Sequence, residues 1–284
     1  METLLKSKFL EWLREDVPFW DLTSTILIRE ELIAKAHVIA KEKGVAACMR
    51  DLKIILEDFG LKVNLKVDDG ECFDENTILM ELIGSARKIL LLERLILNLL
   101  SHCCGVATAT RKLVDYARSV NPKVKIAATR KTLPGLRYFE KRAVIAGGGD
   151  THRLSLSDAI IIKDNHIFIF GDLYKAVSEA KRSASFTRKV EVEVKDPDEA
   201  LKAAKAGADI IMLDNFSPSD VKVAVNLLKT SGLRDNIIIE VSGGIRPENV
   251  REYAKYDVDV ISSGWITHSS KPIDISLKVV DLIR

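Results

Sequence analysis

Residues 189–214 read KVEVEVKDPDEALKAAKAGADIIMLD, and this stretch carries the unit from which most of the chain is built. KVEVEV (189–194) alternates valine with glutamate, which predicts a short strand with Glu191 and Glu193 on one face and the valines on the other. Asp196-Pro197 then offers an N-cap and a first helical residue, the helical pattern runs through Ala206, and Gly207 stops it. DIIMLD (209–214) starts a second strand, apolar almost throughout. Such a strand suits a parallel sheet covered on both faces.

The same beat extends in both directions: KVKIAAT (123–129), AIIIK (159–163), NIIIEVS (236–242) and VDVISS (258–263) all read as strands. Helical patterns separate most of them, one opened by Ser217-Pro218 and another by Pro247. Alternating units of this size build either a doubly wound sheet or an α/β barrel. A polar residue stands at the C-terminal end of nearly every strand: Thr129-Arg130-Lys131, Lys163, Glu193, Asp214, Ser242 and Ser263. Barrel enzymes build their sites on that face from several strands at once, which favours the barrel.

The residues before this repeat have another texture. From Met1 to about Ile83 they predict helix, strand, helix, strand and strand, with LKVNLKV (61–67) ending in the turn Asp68-Asp69-Gly70. A long helical stretch, Ser85 to Val120, bridges to the barrel, with Gly105 marking where it could break. The domains are therefore expected at 1–105 and 106–269, with residues 270–284 returning to the first domain as a C-terminal helix.

Composition removes several function classes. The 284 residues carry a formal net charge of only +2, so nothing demands nucleic acid or an anionic membrane as partner. Cys48, Cys72, Cys103 and Cys104 show no CxxC spacing and read as reduced cysteines of a cytoplasmic protein. METLLKSKFLEWLRED lacks a secretory core, and Ile89–Leu100, interrupted by Glu93, Arg94 and Asn98, falls short of the roughly 20 apolar residues of a membrane span. Neither GxxxxGK[ST] nor GxGxxG occurs, so no P-loop or dinucleotide fold is indicated.

Two late strand ends suit an anion. Ser242-Gly243-Gly244 precedes one helix start and Ser263-Gly264 follows one unit later, and loops after late consecutive barrel strands form a recurrent phosphate site. His268 could complete it. The head of the barrel is basic, Thr129-Arg130-Lys131-Thr132-Leu133-Pro134-Gly135-Leu136-Arg137, and His152-Arg153 and Lys163 arrive from the next unit. Cations gathered on one face want a ligand with several negative charges, Arg for bidentate recognition and Lys for point-charge neutralisation. Glu193 and Asp214 opposite them suggest Mg²⁺ and sugar hydroxyls; ion pairs with neighbouring lysines are the other reading. Arg94, inside ILLLERLILNLL, reads on composition alone as a snorkelling side chain.

Seven segments together resemble the quinolinate phosphoribosyltransferase family (nicotinate-nucleotide pyrophosphorylase, carboxylating). They are ERLILNLLSHCCGVAT (93–108), ATRKTLPGLR (128–137), EKRAVIAGGGDTHRLSLSDAIIIKDNH (140–166), EVEV (191–194), MLDN (212–215), EVSGGI (240–245) and DVISSGWITHS (259–269). The resemblance implies an N-terminal α/β sandwich and an open seven-stranded α/β barrel, assembled as a homodimer, with a hexamer of dimers as a further option. It implies transfer of a phosphoribosyl group from phosphoribosyl pyrophosphate to quinolinate with decarboxylation, giving nicotinate mononucleotide, diphosphate and CO2. By the same resemblance Arg94 would complete the partner's site, and Arg130, His152 and Arg153 would bind quinolinate. Lys131 and Lys163 would lie between quinolinate and the diphosphate, and Glu193 and Asp214 would hold Mg²⁺ and the ribose. Ser242, Gly243, Gly244, Gly264 and His268 would take the 5-phosphate.

Pro18-Phe19-Trp20-Asp21 departs from the family's Gly-x-Gly-Asp turn, Leu133 stands where Thr is common, and Cys104 where Ser is common. None removes a charge. Three other readings stay open: a molybdenum-transport-associated paralogue that shares the TRKxxPG and GGGxxHR motifs, a Schiff-base aldolase using Lys163, and a non-catalytic phosphate-ligand barrel.

Overall fold

The computed structural model describes residues 2–283, and its contacts divide them into two compact units. The first comprises residues 1–109, 145–148 and 270–284; the second comprises 110–144 and 149–269.

In the first unit, α1 (Glu2–Asp16) and α2 (Leu22–Leu27) precede β1 (Ile33–Ala40), β2 (Gly44–Val45), α3 (Met49–Asp58), β3 (Lys62–Leu65), β4 (Cys72–Phe73) and β5 (Ile78–Ser85). The central sheet is antiparallel, in the order β12-β1-β5-β3, where β12 is Ile275–Ile283. Ala34, Ala36, Val38 and Ala40 of β1 are all fully buried, so one face of the strand points into the core at the expected period of two. Phe9 of α1 and Phe59, just after α3, meet with ring centroids 5.7 Å apart.

The C-terminal segment is a strand and not the expected helix. Ile275, Val279, Leu282 and Ile283 recur at helical spacing, which invites the helical reading. The β-branched residues of this run instead pair antiparallel along the whole of β1, from Ile33 opposite Ile283 to Ala40 opposite Ile275, with a bulge at Lys35–Ala36. A ladder open on one side of β1 overrides a local periodicity.

The long helix α4 (Ala86–Arg118) runs unbroken through Gly105. The glycine serves close approach there: a Cβ would come within 2.4 Å of the Lys271 carbonyl oxygen and 3.0 Å of Pro272 Cα. As one element of 33 residues, α4 is long and apolar enough to cross a membrane by length and composition, where the sequence suggested a shorter run. Its side chains Leu92, Ile96, Leu100, Cys103 and Cys104 are nonetheless fully buried, which marks it as a core helix.

The second unit repeats the strand–helix beat: β6 (Lys125–Ala127), α5 (Arg137–Ala146), β7 (Ile160–Ile162), α6 (Asp164–Phe170), α7 (Leu173–Ser183), β8 (Val190–Val194), α8 (Pro197–Lys205), β9 (Ile210–Asp214), α9 (Pro218–Thr230), β10 (Ile238–Ser242), α10 (Val250–Ala254), β11 (Val260–Ser262) and α11 (Trp265–His268). Asp196 and Ser217 cap α8 and α9 with their side chains, each followed by proline in the first turn. The six strands are parallel, in the order β6-β11-β10-β9-β8-β7. On the free side of β6, Ala127 makes a parallel bridge to Asp150, which adds a short seventh stave and leaves the barrel open between it and β7. Val190, Val192 and Val194 are fully buried on the helix side of β8, so Glu191 and Glu193 face the barrel interior.

Candidate active site

Strand register assembles the site. Glu193 of β8 lies level with Met212 of β9, Met212 with Glu240 of β10, and one step nearer the C-terminal end Asp214 lies level with Ser242. Positions two apart on a strand share a face, so these residues form two successive interior layers at the barrel mouth. Together with Thr129, Arg130, Lys131, His152, Arg153, Ile161, Lys163 and Ser262 they line a cavity of about 310 Å³. Every expected substrate or catalytic residue of the middle strands therefore converges on one space.

The basic side is built from two loops. Arg153 reaches the Ala159 carbonyl through Nη1 at 3.1 Å; burial, followed by the charge of Arg130, holds its pKa below the ordinary arginine value. His152 sits at φ +52°, a left-handed conformation that non-glycine residues rarely adopt. The Arg153 backbone N–H donates to His152 Nδ1 at 2.8 Å, and Nε2 lies 3.0 Å from Glu240 and 3.6 Å from Glu191. Burial disfavours a charged imidazole, yet the hydrogen bond and charge of Glu240, with Glu191 behind it, outweigh this and raise the His152 pKa. A second proton would have to sit on Nδ1, opposite an N–H donor. The hydrogen bonds thus hold the Nε2–H tautomer, donating to Glu240.

Beneath it, Glu191 is fully buried, and neither of its carboxylate oxygens has a hydrogen-bond partner. Burial, reinforced by the charge of Glu240, pushes its pKa up to about 8.

Lys163 pairs with Glu193 across the mouth. Its backbone N–H donates to His166 Nδ1 at 2.9 Å, which gives the KDNH run a local role in shaping the strand end. Asp214 accepts from Asn215 Nδ2 at 2.6 Å, and its pKa is raised, first by burial and then by the charge of Glu193. A carboxylate made costlier to ionise by burial and by the neighbouring charge of Glu193 invites a cation between the two.

A second cavity of about 100 Å³ shares Thr129, Lys131, Ser242 and Ser262 with the first and is completed by Gly243, Gly244, Ile245, Arg246, Ser263, Gly264, Trp265 and His268. Gly243 (φ +96°) and Gly244 (φ +62°) turn the chain so that backbone faces the space. Gly264 lies between His268 and Lys131, where a Cβ would come within 3.0 Å of both side chains. All of the expected 5-phosphate residues, Ser242, Gly243, Gly244, Gly264 and His268, are lining residues here.

Arg94 stands apart. It belongs to the first unit, exposed on α4, and lines neither cavity. Glu240 was not foreseen as a site residue, although it stands two before Ser242 in NIIIEVS and so shares its face. Ser262, which with Thr129 joins the two cavities, was likewise hidden among ordinary strand-end hydroxyls.

An open α/β barrel whose mouth joins a cluster of cations, a carboxylate pair and a glycine-lined anion cradle defines an enzyme of phosphorylated, multiply anionic substrates. The chain belongs to the quinolinate phosphoribosyltransferase family: residues 21–104 match the model of its N-terminal domain and residues 106–278 that of its C-terminal domain. It is 46% identical over 269 residues to the probable nicotinate-nucleotide pyrophosphorylase [carboxylating] of Methanothermobacter thermautotrophicus, covering 95% of this chain and 96% of that one. Against the human nicotinate-nucleotide pyrophosphorylase [carboxylating] the identity is 36%, over 94% and 89% of the two chains. Among solved structures, NadC from Streptococcus pyogenes superposes with a TM-score of 0.92 at 36% identity, covering 100% of this chain and 99% of the other.

Proposed function

We propose that this chain is a carboxylating nicotinate-nucleotide pyrophosphorylase: it transfers the phosphoribosyl group of phosphoribosyl pyrophosphate to quinolinate and releases diphosphate and CO2. The observation that carries the reading is the continuity of the two cavities through Thr129, Lys131, Ser242 and Ser262, which gives one cleft both a cationic acid-binding part and a glycine-lined phosphate part. Membership of the family and the names of the relatives agree with it.

The pyridine nitrogen attacks C1 of the ribose as the bond from C1 to the diphosphate oxygen breaks, its electron pair leaving with diphosphate. The bond between ring carbon 2 and its carboxylate then breaks, the electrons are held beside the alkylated, positively charged nitrogen, and a proton takes the place of CO2. No protein nucleophile is needed. The chain's task is to position two anions and stabilise charge as it develops. Arg130 and Arg153 take the quinolinate carboxylates, with His152 in the same part of the cleft. Lys131, which lines both cavities, and Lys163 face the diphosphate. Ser242, Gly243, Gly244, Gly264 and His268 hold the 5-phosphate.

Glu193 and Asp214 offer hard oxygen donors, and their mutual repulsion fits a bound Mg²⁺ with the ribose hydroxyls beside it. When bound, Mg²⁺ would neutralise charge on the leaving diphosphate. The enzyme works in the cytoplasm as a homodimer, in which the exposed Arg94 of one subunit completes the site of the other.

Product analysis by NMR of protein with quinolinate, phosphoribosyl pyrophosphate and Mg²⁺, with nicotinate in parallel, tests the reading. Nicotinate mononucleotide from quinolinate alone is the expected result, and Lys131→Ala or Lys163→Ala should abolish it in a folded protein. No product from either acid would overturn the reading in favour of the molybdenum-transport-associated paralogue, and near-normal turnover in the lysine variants would remove their roles.

A further inference from the structure

The three cations Arg130, Lys131 and Arg153 come from two separate loops, the second of which also carries His152, and like charges on facing loops repel. Burial lowers the Arg153 pKa, and the charge of Arg130 adds to that effect. Something must hold the loops together against this.

Helix α5 does so from below. Lys141, almost fully buried, donates from Nζ to the Thr129 carbonyl at 2.8 Å and to the Thr151 carbonyl as well. One helical turn earlier, Arg137 donates from Nε to Thr132 Oγ1 at 3.0 Å and from Nη1 to the Leu154 carbonyl at 3.2 Å. The numbering shows the pattern. Residues 129 and 132 flank Arg130-Lys131, and residues 151 and 154 flank His152-Arg153. Each cationic dipeptide is therefore gripped on both sides, and each gripping side chain spans both loops. Arg137 and Lys141 lie four apart, on one face of the helix. Glu140 adds a third contact from the same helix, its carboxylate accepting the Leu133 N–H at 3.3 Å.

We propose that Arg137 and Lys141 are positioning residues for the acid substrate: a two-pronged clasp that fixes the separation of the two cationic loops and thereby the fit of a dicarboxylate between them. Burial drives the Lys141 amine down to about 8, with Arg137's charge adding to the effect, but an uncharged amine still has two N–H donors for two carbonyls. The clasp therefore holds on either side of that pH.

The inference rests on the proposed reaction for its assay, and the wild-type control separates the two: absence of product in wild type is failure of the reaction, not of the clasp. Lys141→Met keeps the length of the stem and removes both hydrogen bonds; Arg137→Gln is the milder companion at a half-buried position, should the first fail to fold. In either variant KM for quinolinate, which loses the placement of Arg130 and Arg153 together, should rise about tenfold or more, and KM for phosphoribosyl pyrophosphate, which loses only that of Lys131, by a clearly smaller factor. The double variant should lose less than the product of the two single losses, because both side chains hold the same pair of loops. A lowered melting temperature with KM for quinolinate unchanged would reduce both residues to structural supports and overturn the proposal. Equal rises in both KM values, or fully multiplicative losses, would do the same.

Discussion

Replacing Gly243 by alanine perturbs the fold and the phosphate part of the cleft through one methyl group. The residue sits at φ +96°, outside the conformations an L-residue adopts without strain, which costs about 1–2 kcal/mol. The added Cβ would stand 2.3 Å from Asn215 Oδ1, 2.6 Å from its Cγ and 2.8 Å from its backbone nitrogen. The side chain can swing away, but the backbone nitrogen cannot, and overpacking of this kind adds about 1–3 kcal/mol. A total near 3 kcal/mol should lower the melting temperature by roughly 6–12 °C. Asn215 also donates to Asp214, so its displacement should reach the carboxylate pair and raise KM for phosphoribosyl pyrophosphate. Gly244→Ala is the internal control: at φ +62° its Cβ would meet nothing within 4 Å, leaving only the backbone cost of about 1–2 kcal/mol. Differential scanning calorimetry and steady-state kinetics of both variants decide the matter. Equal, small shifts in the two would refute the steric reasoning.

Gly105→Ala sets two effects against each other. Helix propensity alone predicts a gain of about 1 kcal/mol, whereas the methyl would meet the Lys271 carbonyl and Pro272 backbone, so a net loss near 2 kcal/mol is expected in urea unfolding. A stabilised variant would mean that the backbone of residues 271 and 272 moves aside at little cost. Glu191→Gln probes the buried carboxyl. Because burial, with Glu240's charge, raises its folded pKa from 4.5 to about 8, the native state binds more protons than the unfolded chain between those values, and wild-type stability should fall as pH rises through that window. The glutamine variant should show a flatter profile and exceed wild type at pH 8; unchanged slopes would show that Glu191 is ionised at little cost.

Most of what local chemistry decides could be read from the sequence. The caps at Asp196 and Ser217 and the Gly207 stop lie where the helices begin and end, since each acts within one turn. The inward face of Glu193 followed from alternation with three valines. What escaped was decided by distant partners. Gly105 looks like a break until the backbone of residues 271 and 272 is laid against it, and the last strand looks helical until β1 offers it an edge. Glu240 hides in an apolar strand, because its importance comes from His152, 88 positions away. Only the relation of Lys141 to Thr129 and Thr151 reveals the clasp, and no spacing in the chain announces it.

The pairing order of the strands also governs how the molecule can be made on a ribosome. The first barrel strand, β6, finds its partner in the last, β11, with Lys125 opposite Val260, and β1 of the other unit waits for β12, with Ile33 opposite Ile283. The barrel sheet cannot join β6 to β11 before residue 262 has emerged, nor can β1 gain its edge partner before β12 has. Loop closures of this length are slow, and edges left bare meanwhile are open to wrong partners. Trimming the last dozen residues would therefore strip the edge from a sheet whose other strands are synthesised well before it.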